Sequence, residues 1–121
     1  MTFPITHIKG TNMEVTDTLR TLVAQKFNAL EKFVGDETAV SCDIELEKIT
    51  ASQSGDIYRA EANVHFLGKL YRAEATNDAI EKSIDEVRNE MERELRRANN
   101  KMRTMIKRGG AKIKDMLRFG K

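Results

Sequence analysis

Among its 121 residues the chain has no tryptophan, one cysteine, one proline and two histidines, and aromatic side chains make up only 6%. A lone Cys42 excludes an internal disulfide framework and fits a reducing compartment, so a cytoplasmic location is expected. The scarcity of aromatics argues against recognition of single-stranded nucleic acid by base stacking. No run of about 18 apolar residues is present, which excludes a membrane-spanning helix. The opening Met1-Thr2-Phe3-Pro4-Ile5 has neither the basic nor the apolar region of a signal peptide, so no leader is expected. There is no P-loop and no GxGxxG.

Acids are missing from one place in particular. From Arg96 to Lys121 the chain holds ten Lys or Arg and a single acid, Asp115, which leaves 11 basic against 18 acidic residues before it. A net charge of +2 thus conceals an acidic body and a strongly basic terminus. Folding gives no reason for such segregation, and concentrated positive charge points to a polyanion.

A catalytic set is also missing. His7 and His65 stand alone in strand-like contexts and are expected to be surface residues. Cys42 falls in an inward-alternating series and reads as a small buried hydrophobe rather than a nucleophile. Glu45, Glu47 and Glu61 are brought near one another by alternation, but no His or Cys accompanies them at ligand spacing. They read as a solvated sheet face. No enzyme, cofactor, metal site or small-molecule substrate is expected.

What is present is a regular alternation of periods. Phe3 to Lys9 is β-prone and ends at the turn-like Gly10-Thr11-Asn12. Thr16 and Asp17 open a helix whose stripe is Leu19, Leu22, Val23, Phe27, Leu30, Phe33 and Val34, stopped by Gly35-Asp36. From Ala39 the period becomes two, with Val40, Cys42, Ile44 and Leu46 on one side. A polar loop, Thr50 to Gly55, separates this strand from Tyr58–Phe66, and Gly68-Lys69 turns the chain into Leu70–Thr76. Strands with one apolar face each predict an antiparallel sheet with helices packed on one side.

A second helix begins at Asn77 or Asp78 and meets no Gly or Pro before Gly109. Its stripe is Ile80, Ile84, Val87, Met91, Leu95, Ala98, Met102 and Met105. Thirty helical residues span roughly 45 Å, but a nine-residue strand spans only about 30 Å. The basic half of this helix must therefore overrun the sheet. Gly109-Gly110 is expected to end it, dividing the chain into a domain, 1–108, and a basic tail, 109–121. The predicted fold is a two-layer α+β domain of order β-α-β-β-β-α, with a four-stranded sheet and two helices on one face.

On a helical wheel Arg93, Arg97, Lys101 and Arg108 fall on one flank of the second helix. Arg96, Arg103 and Lys107 fall on the adjoining flank, with the apolar stripe opposite both. In the first half Glu92 can pair with Arg96, whereas beyond Ala98 no acid precedes Asp115. Polyanion binding is the favoured reading there. Lys26 lies inside the apolar arc of the first helix and admits two readings: a stem covering apolar surface, or an ammonium offered to a phosphate.

The segments Gly10-Thr11-Asn12-Met13-Glu14-Val15-Thr16-Asp17-Thr18-Leu19-Arg20 and Lys26-Phe27-Asn28-Ala29-Leu30-Glu31-Lys32-Phe33 closely resemble the opening of ribosome hibernation-promoting factors. These are also called ribosome-associated inhibitors or sigma-54 modulation proteins. Ser83-Ile84-Asp85 and Glu92-Arg93-Glu94-Leu95-Arg96-Arg97 are similar to that family's second-helix signature, and the resemblance covers about residues 3 to 101. It implies the same β-α-β-β-β-α fold, similar to a double-stranded-RNA-binding domain. It also implies a non-enzymatic factor that binds small-subunit rRNA in the mRNA and tRNA channel and keeps ribosomes inactive under stress or in stationary phase.

By matching position the resemblance assigns rRNA contact to Lys26, Arg93, Arg97 and Lys101, with Arg20 and Lys32 as further candidates. The chain departs from the family pattern at Asp78-Ala79-Ile80-Glu81 and at Glu90. As it stands it resembles the short form, without the C-terminal dimerisation domain of long members, and the free protein is expected to be monomeric. The alternatives are a general structured-RNA-binding module, or a protein-interaction module offering Met91, Met102 and Met105.

Overall fold

The computed structural model describes residues 3–35, 40–49, 55 and 57–119, with the backbone alone at 106 and from 108 onward. Its elements are β1 (His7–Thr11), α1 (Asp17–Asn28), α2 (Glu31–Val34), β2 (Ser41–Lys48), β3 (Tyr58–Phe66), β4 (Lys69–Asn77) and α3 (Ile80–Phe119). The predicted α+β order is therefore present, with α2 as one extra turn.

Thr16 caps α1 as its position predicts, its Oγ1 accepting the Leu19 backbone N–H at 3.1 Å. The first helix is not continuous, however. After Asn28 the backbone tightens, with Leu30 N–H bonding to Phe27 O and Phe33 N–H to Leu30 O, both three residues back. This keeps Leu30 and Val34 on the buried side, so the apolar stripe survives the break. Gly35, at φ 58°, closes α2 with its N–H on Glu31 O.

The first strand lies later than its composition predicts. Phe3 leaves the strand path and enters the core, its ring 6.3 Å from that of Phe27 and its N–H on Asn28 Oδ1. Gly10 then belongs to the strand rather than to the turn, and a Cβ there would run into the Met13 carbonyl oxygen. The reversal falls to Asn12, at φ 58°.

The sheet order is β1-β2-β3-β4. It is mixed rather than wholly antiparallel. β1 runs parallel to β2, pairing His7 with Asp43 and Thr11 with Glu47, whereas β2–β3 and β3–β4 are antiparallel. The cause is the crossover through α1 and α2, which returns the chain to the end where β1 began. One face of the sheet supplies Cys42, Ile44, Leu46, Ala60, Ala62, Val64, Phe66 and Ala73 to the core. The helices supply Val23, Phe27, Leu30, Ile80, Ile84, Val87, Met91 and Leu95.

α3 packs on β3 and β4 and begins at Ile80, because β4 holds the chain through Asn77. Its buried Ser83 donates through Oγ to Tyr58 O at 2.6 Å, which fixes the helix start against the sheet. The expected stop at Gly109-Gly110 is not found. The helix passes through both glycines to Phe119. Each glycine costs only about 1 kcal/mol relative to alanine, and the flanking Lys, Arg, Ala and Met residues favour the helix enough to carry it across.

Candidate nucleic-acid interface

Leu95 is fully buried and Ala98 still packs on the core, but Asn99 makes the last polar bond from α3 to the body among the described residues, donating to Phe33 O at 2.8 Å. Among the described residues no hydrogen bond or ion pair joins α3 to another element beyond that point. The exposed residues on this length include Lys101, Arg103 and Lys107.

Arg93 and Arg97 are exposed on the same helix, about two turns and one turn before Lys101 respectively. Arg97 is 74% exposed and its nearest acid, Glu94, stands 3.8 Å away. Arg93, Lys101, Arg103 and Lys107 have no acidic partner among the described residues. Arg20, on α1, and Lys32, on α2, are likewise exposed and without one. The Arg108 side chain lies outside the described residues.

The flank of α3 that meets α1 and α2 is organised differently. Lys26 Nζ lies 2.9 Å from Asp85 Oδ1 and is 41% exposed, so it combines an ion pair with a free side. Arg88 donates through Nε to Lys26 O at 3.3 Å and reaches Glu92 Oε1 at 2.5 Å. Glu92 also receives Arg96 Nη2 at 2.6 Å, and the Arg96 guanidinium stands 5.6 Å from the centre of the Phe33 ring. Lys32 Nζ is 5.1 Å from the same ring. Lys26, Lys32 and Arg96 thus gather on this flank, while Arg93, Arg97 and Lys101 occupy the other; no contact brings Arg20 to either.

Two features of these surfaces escaped the sequence patterns. Phe33 counts there only as one member of an apolar stripe, yet it carries two cations; its neighbour Lys32 was the available signal. Arg88 stands four residues before Glu92, a spacing that does announce the pair.

The opposite side of the molecule bears a second charged surface. Arg59, only 16% exposed, meets Glu47 at 3.1 Å, Glu61 at 3.0 Å, Glu74 at 2.5 Å and Glu45 at 3.4 Å. Burial opposes its charge, but hydrogen bonds to Glu74 and Glu61 outweigh this and hold the guanidinium more firmly protonated than usual. Arg72 adds bonds to Glu61 and Glu74. Thr11 Oγ1 donates to Glu45 at 2.6 Å and, against a burial penalty and with help from Arg59, lowers that carboxyl's pKa. The three glutamates read as a merely solvated face therefore surround a shared arginine.

Burial, reinforced by Asp43, pushes the Cys42 thiol up to about 12, so it stays neutral and unreactive. No group of three potential metal ligands occurs among the described residues, and no helix among them is long and apolar enough to cross a membrane.

An exposed cationic helix on a β-α-β-β-β-α body agrees with what comparison finds. Residues 6–103 match the family described as sigma 54 modulation protein / S30EA ribosomal protein. The chain belongs to that family. Members of the S30EA family are ribosome-associated, non-catalytic factors. The chain is 31% identical over 86 residues to the ribosome hibernation promotion factor of Lactococcus lactis subsp. cremoris. That alignment covers 71% of this chain and 44% of the relative, so the chain spans less than half the length of the curated relative it matches.

Two solved structures share the S30EA fold. The N-terminal domain of Protein Y from Thermus thermophilus superposes with a TM-score of 0.67 at 24% identity, covering 78% of this chain and 98% of that one. A ribosomal subunit interface protein from Coxiella burnetii gives 0.64 at 19% identity, covering 81% and 99%. Residues 104–119 of α3 lie beyond the family match.

Proposed function

We propose that this protein binds the small ribosomal subunit through the cationic surface of α3, occupies the channel used by mRNA and tRNA, and keeps ribosomes inactive under stress or in stationary phase. The observation that carries the reading is the set of exposed cations on α3, Arg93, Lys101, Arg103 and Lys107, that no acid among the described residues neutralises. A surface of this kind releases condensed counterions when it meets RNA phosphates, which drives association. Phosphate contacts fix position and orientation but carry no base information, so docking reads the shape of folded rRNA. The bulk of the body then excludes other ligands sterically.

Contacts fall to Arg93, Arg97 and Lys101 on one flank and to Lys26, Lys32, Arg96, Arg103 and Lys107 on the other, with Arg20 and Arg108 at the margins. Residues 1–108 form the docking unit, and the basic segment 109–121 reinforces it by charge. A cytoplasmic location follows from the target.

Reversing two charges tests this directly. Arg93→Glu with Arg97→Glu should abolish co-sedimentation with small subunits on a sucrose gradient while thermal unfolding stays within a few degrees of the wild type. Wild-type co-sedimentation by the double variant would show that the docking face lies elsewhere. Equal competition by unrelated RNA duplexes at physiological salt would instead favour a general structured-RNA-binding module.

A further inference from the structure

Lys32 and Arg96 come from different helices, yet both stand over one ring. Lys32 Nζ is 5.1 Å and the Arg96 guanidinium 5.6 Å from the centre of Phe33. Long cationic side chains normally sample many rotamers, and ordering them opposes binding. Here both cations already have an intramolecular contact, with the Phe33 ring, that favours one placement. Arg96 is held a second time by Glu92 Oε2 at 2.6 Å, and Glu92 is itself held by Arg88 at 2.5 Å. The Phe33 backbone is tied to α3, because Asn99 donates to its carbonyl at 2.8 Å. Gly35 closes α2 two residues after Phe33.

Among the described residues Glu92 is the one acid paired with Arg88 and Arg96, since Asp85 is taken by Lys26. Lys32 has no acidic partner among the described residues. The bond from Arg96 to Glu92 runs through Nη2, so other guanidinium N–H groups remain for an incoming acceptor. Arg103 continues along this flank with no acidic partner among the described residues. That continuity favours an extended polyanion over an isolated carboxylate.

We propose that Lys32 and Arg96, held on the Phe33 ring, clamp one backbone phosphodiester of the bound RNA at the junction of α2 and α3. This rests on the reading that the chain binds rRNA. Phe33 is the positioning residue, and the two cations make the contact. The clamp adds a defined anchoring point, reached from α2, to a surface otherwise built mainly on α3.

The test is a binding cycle with purified small ribosomal subunits, measured across a salt series. Phe33→Leu keeps an apolar side chain but removes the ring, and should weaken binding about three- to tenfold, the range of one to two exposed cation–π contacts. Lys32→Gln with Arg96→Gln should weaken it at least as much and make the slope of log affinity against log salt shallower by about one, as loss of a phosphate contact requires. Adding Phe33→Leu to that pair should cost nothing further, and Phe33→Tyr should restore affinity to within about twofold of the wild type.

A merely structural Phe33 would give losses that multiply with those of the cations, which overturns the proposal. Unchanged affinity in Lys32→Gln with Arg96→Gln also overturns it, and that variant decides the matter if Phe33→Leu fails to fold. If these variants bind normally while the Arg93 and Arg97 reversals abolish binding, the clamp is wrong and the rRNA reading stands. Normal binding by the Arg93 and Arg97 reversals overturns the reading on which the clamp rests.

Discussion

On the open face of the sheet Arg59 meets four carboxylates, whereas on α3 Arg93, Lys101, Arg103 and Lys107 meet none among the described residues. Both surfaces are dense in charge. On the sheet the register sets like charges opposite one another, Glu45 against Glu61 and Glu61 against Glu74, and one arginine reconciles them. Among the described residues no acid reconciles these four cations of α3, and Lys101, Arg103 and Lys107 lie past the helix's last described bond to the body. Charge that is satisfied internally serves the fold; charge left unsatisfied is available to a partner.

That division can be broken at several points. The largest effect is expected at Arg59. Arg59→Met keeps the stem but leaves Glu45, Glu47, Glu61 and Glu74 facing one another, and should destabilise the fold by about 1–3 kcal/mol, an amount tempered by partial solvent access. Thermal unfolding reads the loss. Affinity for ribosomal subunits, measured well below the transition, should not change, and a clear drop there would make the sheet part of the docking surface.

A smaller effect is expected from acid. Glu45 has a lower pKa folded than unfolded, so its stabilisation is complete above the unfolded glutamate's range and disappears as pH falls through the folded value. The melting temperature should therefore drop between neutrality and about pH 3. Thr11→Val, which removes the hydroxyl bonded to Glu45, should flatten that dependence. A slope unaltered by Thr11→Val would assign the acid sensitivity to other carboxylates.

The smallest effect sharpens the boundary between the two kinds of surface. Lys26 belongs to both, since its ammonium is paired with Asp85 yet partly free. Asp85→Asn should raise affinity for small subunits about twofold and lower stability by no more than about 0.5 kcal/mol. Weaker binding by Asp85→Asn would mean that the pair orients Lys26 for its contact rather than competing with it.

Much of this architecture is written in local periodicity. Alternation from Tyr58 to Phe66 marks β3 within its observed limits, and Thr16 marks the start of α1 because a side-chain cap needs only the next three residues. Features that depend on distant partners were not legible. Nothing near Phe3 announces that its ring will pack on Phe27, so β1 was placed too early. The parallel pairing of β1 depends on where the α1–α2 crossover delivers the chain. Arg59 becomes a hub only once β2 and β4 flank β3 in register. The glycine pair failed for another reason: a local preference of about 1 kcal/mol per residue is too weak to decide against helical neighbours on both sides.

For the cationic surface, wheel positions gave the exposure of Arg93, Arg97 and Lys101, because an apolar stripe fixes its own opposite face. They did not reveal that Arg96 and Lys32 both reach the Phe33 ring. That contact crosses from α3 to α2 over a residue counted as core.

The length of α3 has a hydrodynamic consequence. From Asn100 to Phe119 the helix runs for about 30 Å past its last bond to the body among the described residues, at 1.5 Å per residue. A compact domain with such a rod has more drag than a sphere of equal mass. A single copy should therefore leave a size-exclusion column ahead of globular standards of its weight and diffuse more slowly than they do. Truncation after Lys107 should move elution back by more than the lost mass alone accounts for, with no change in the number of chains per particle by light scattering.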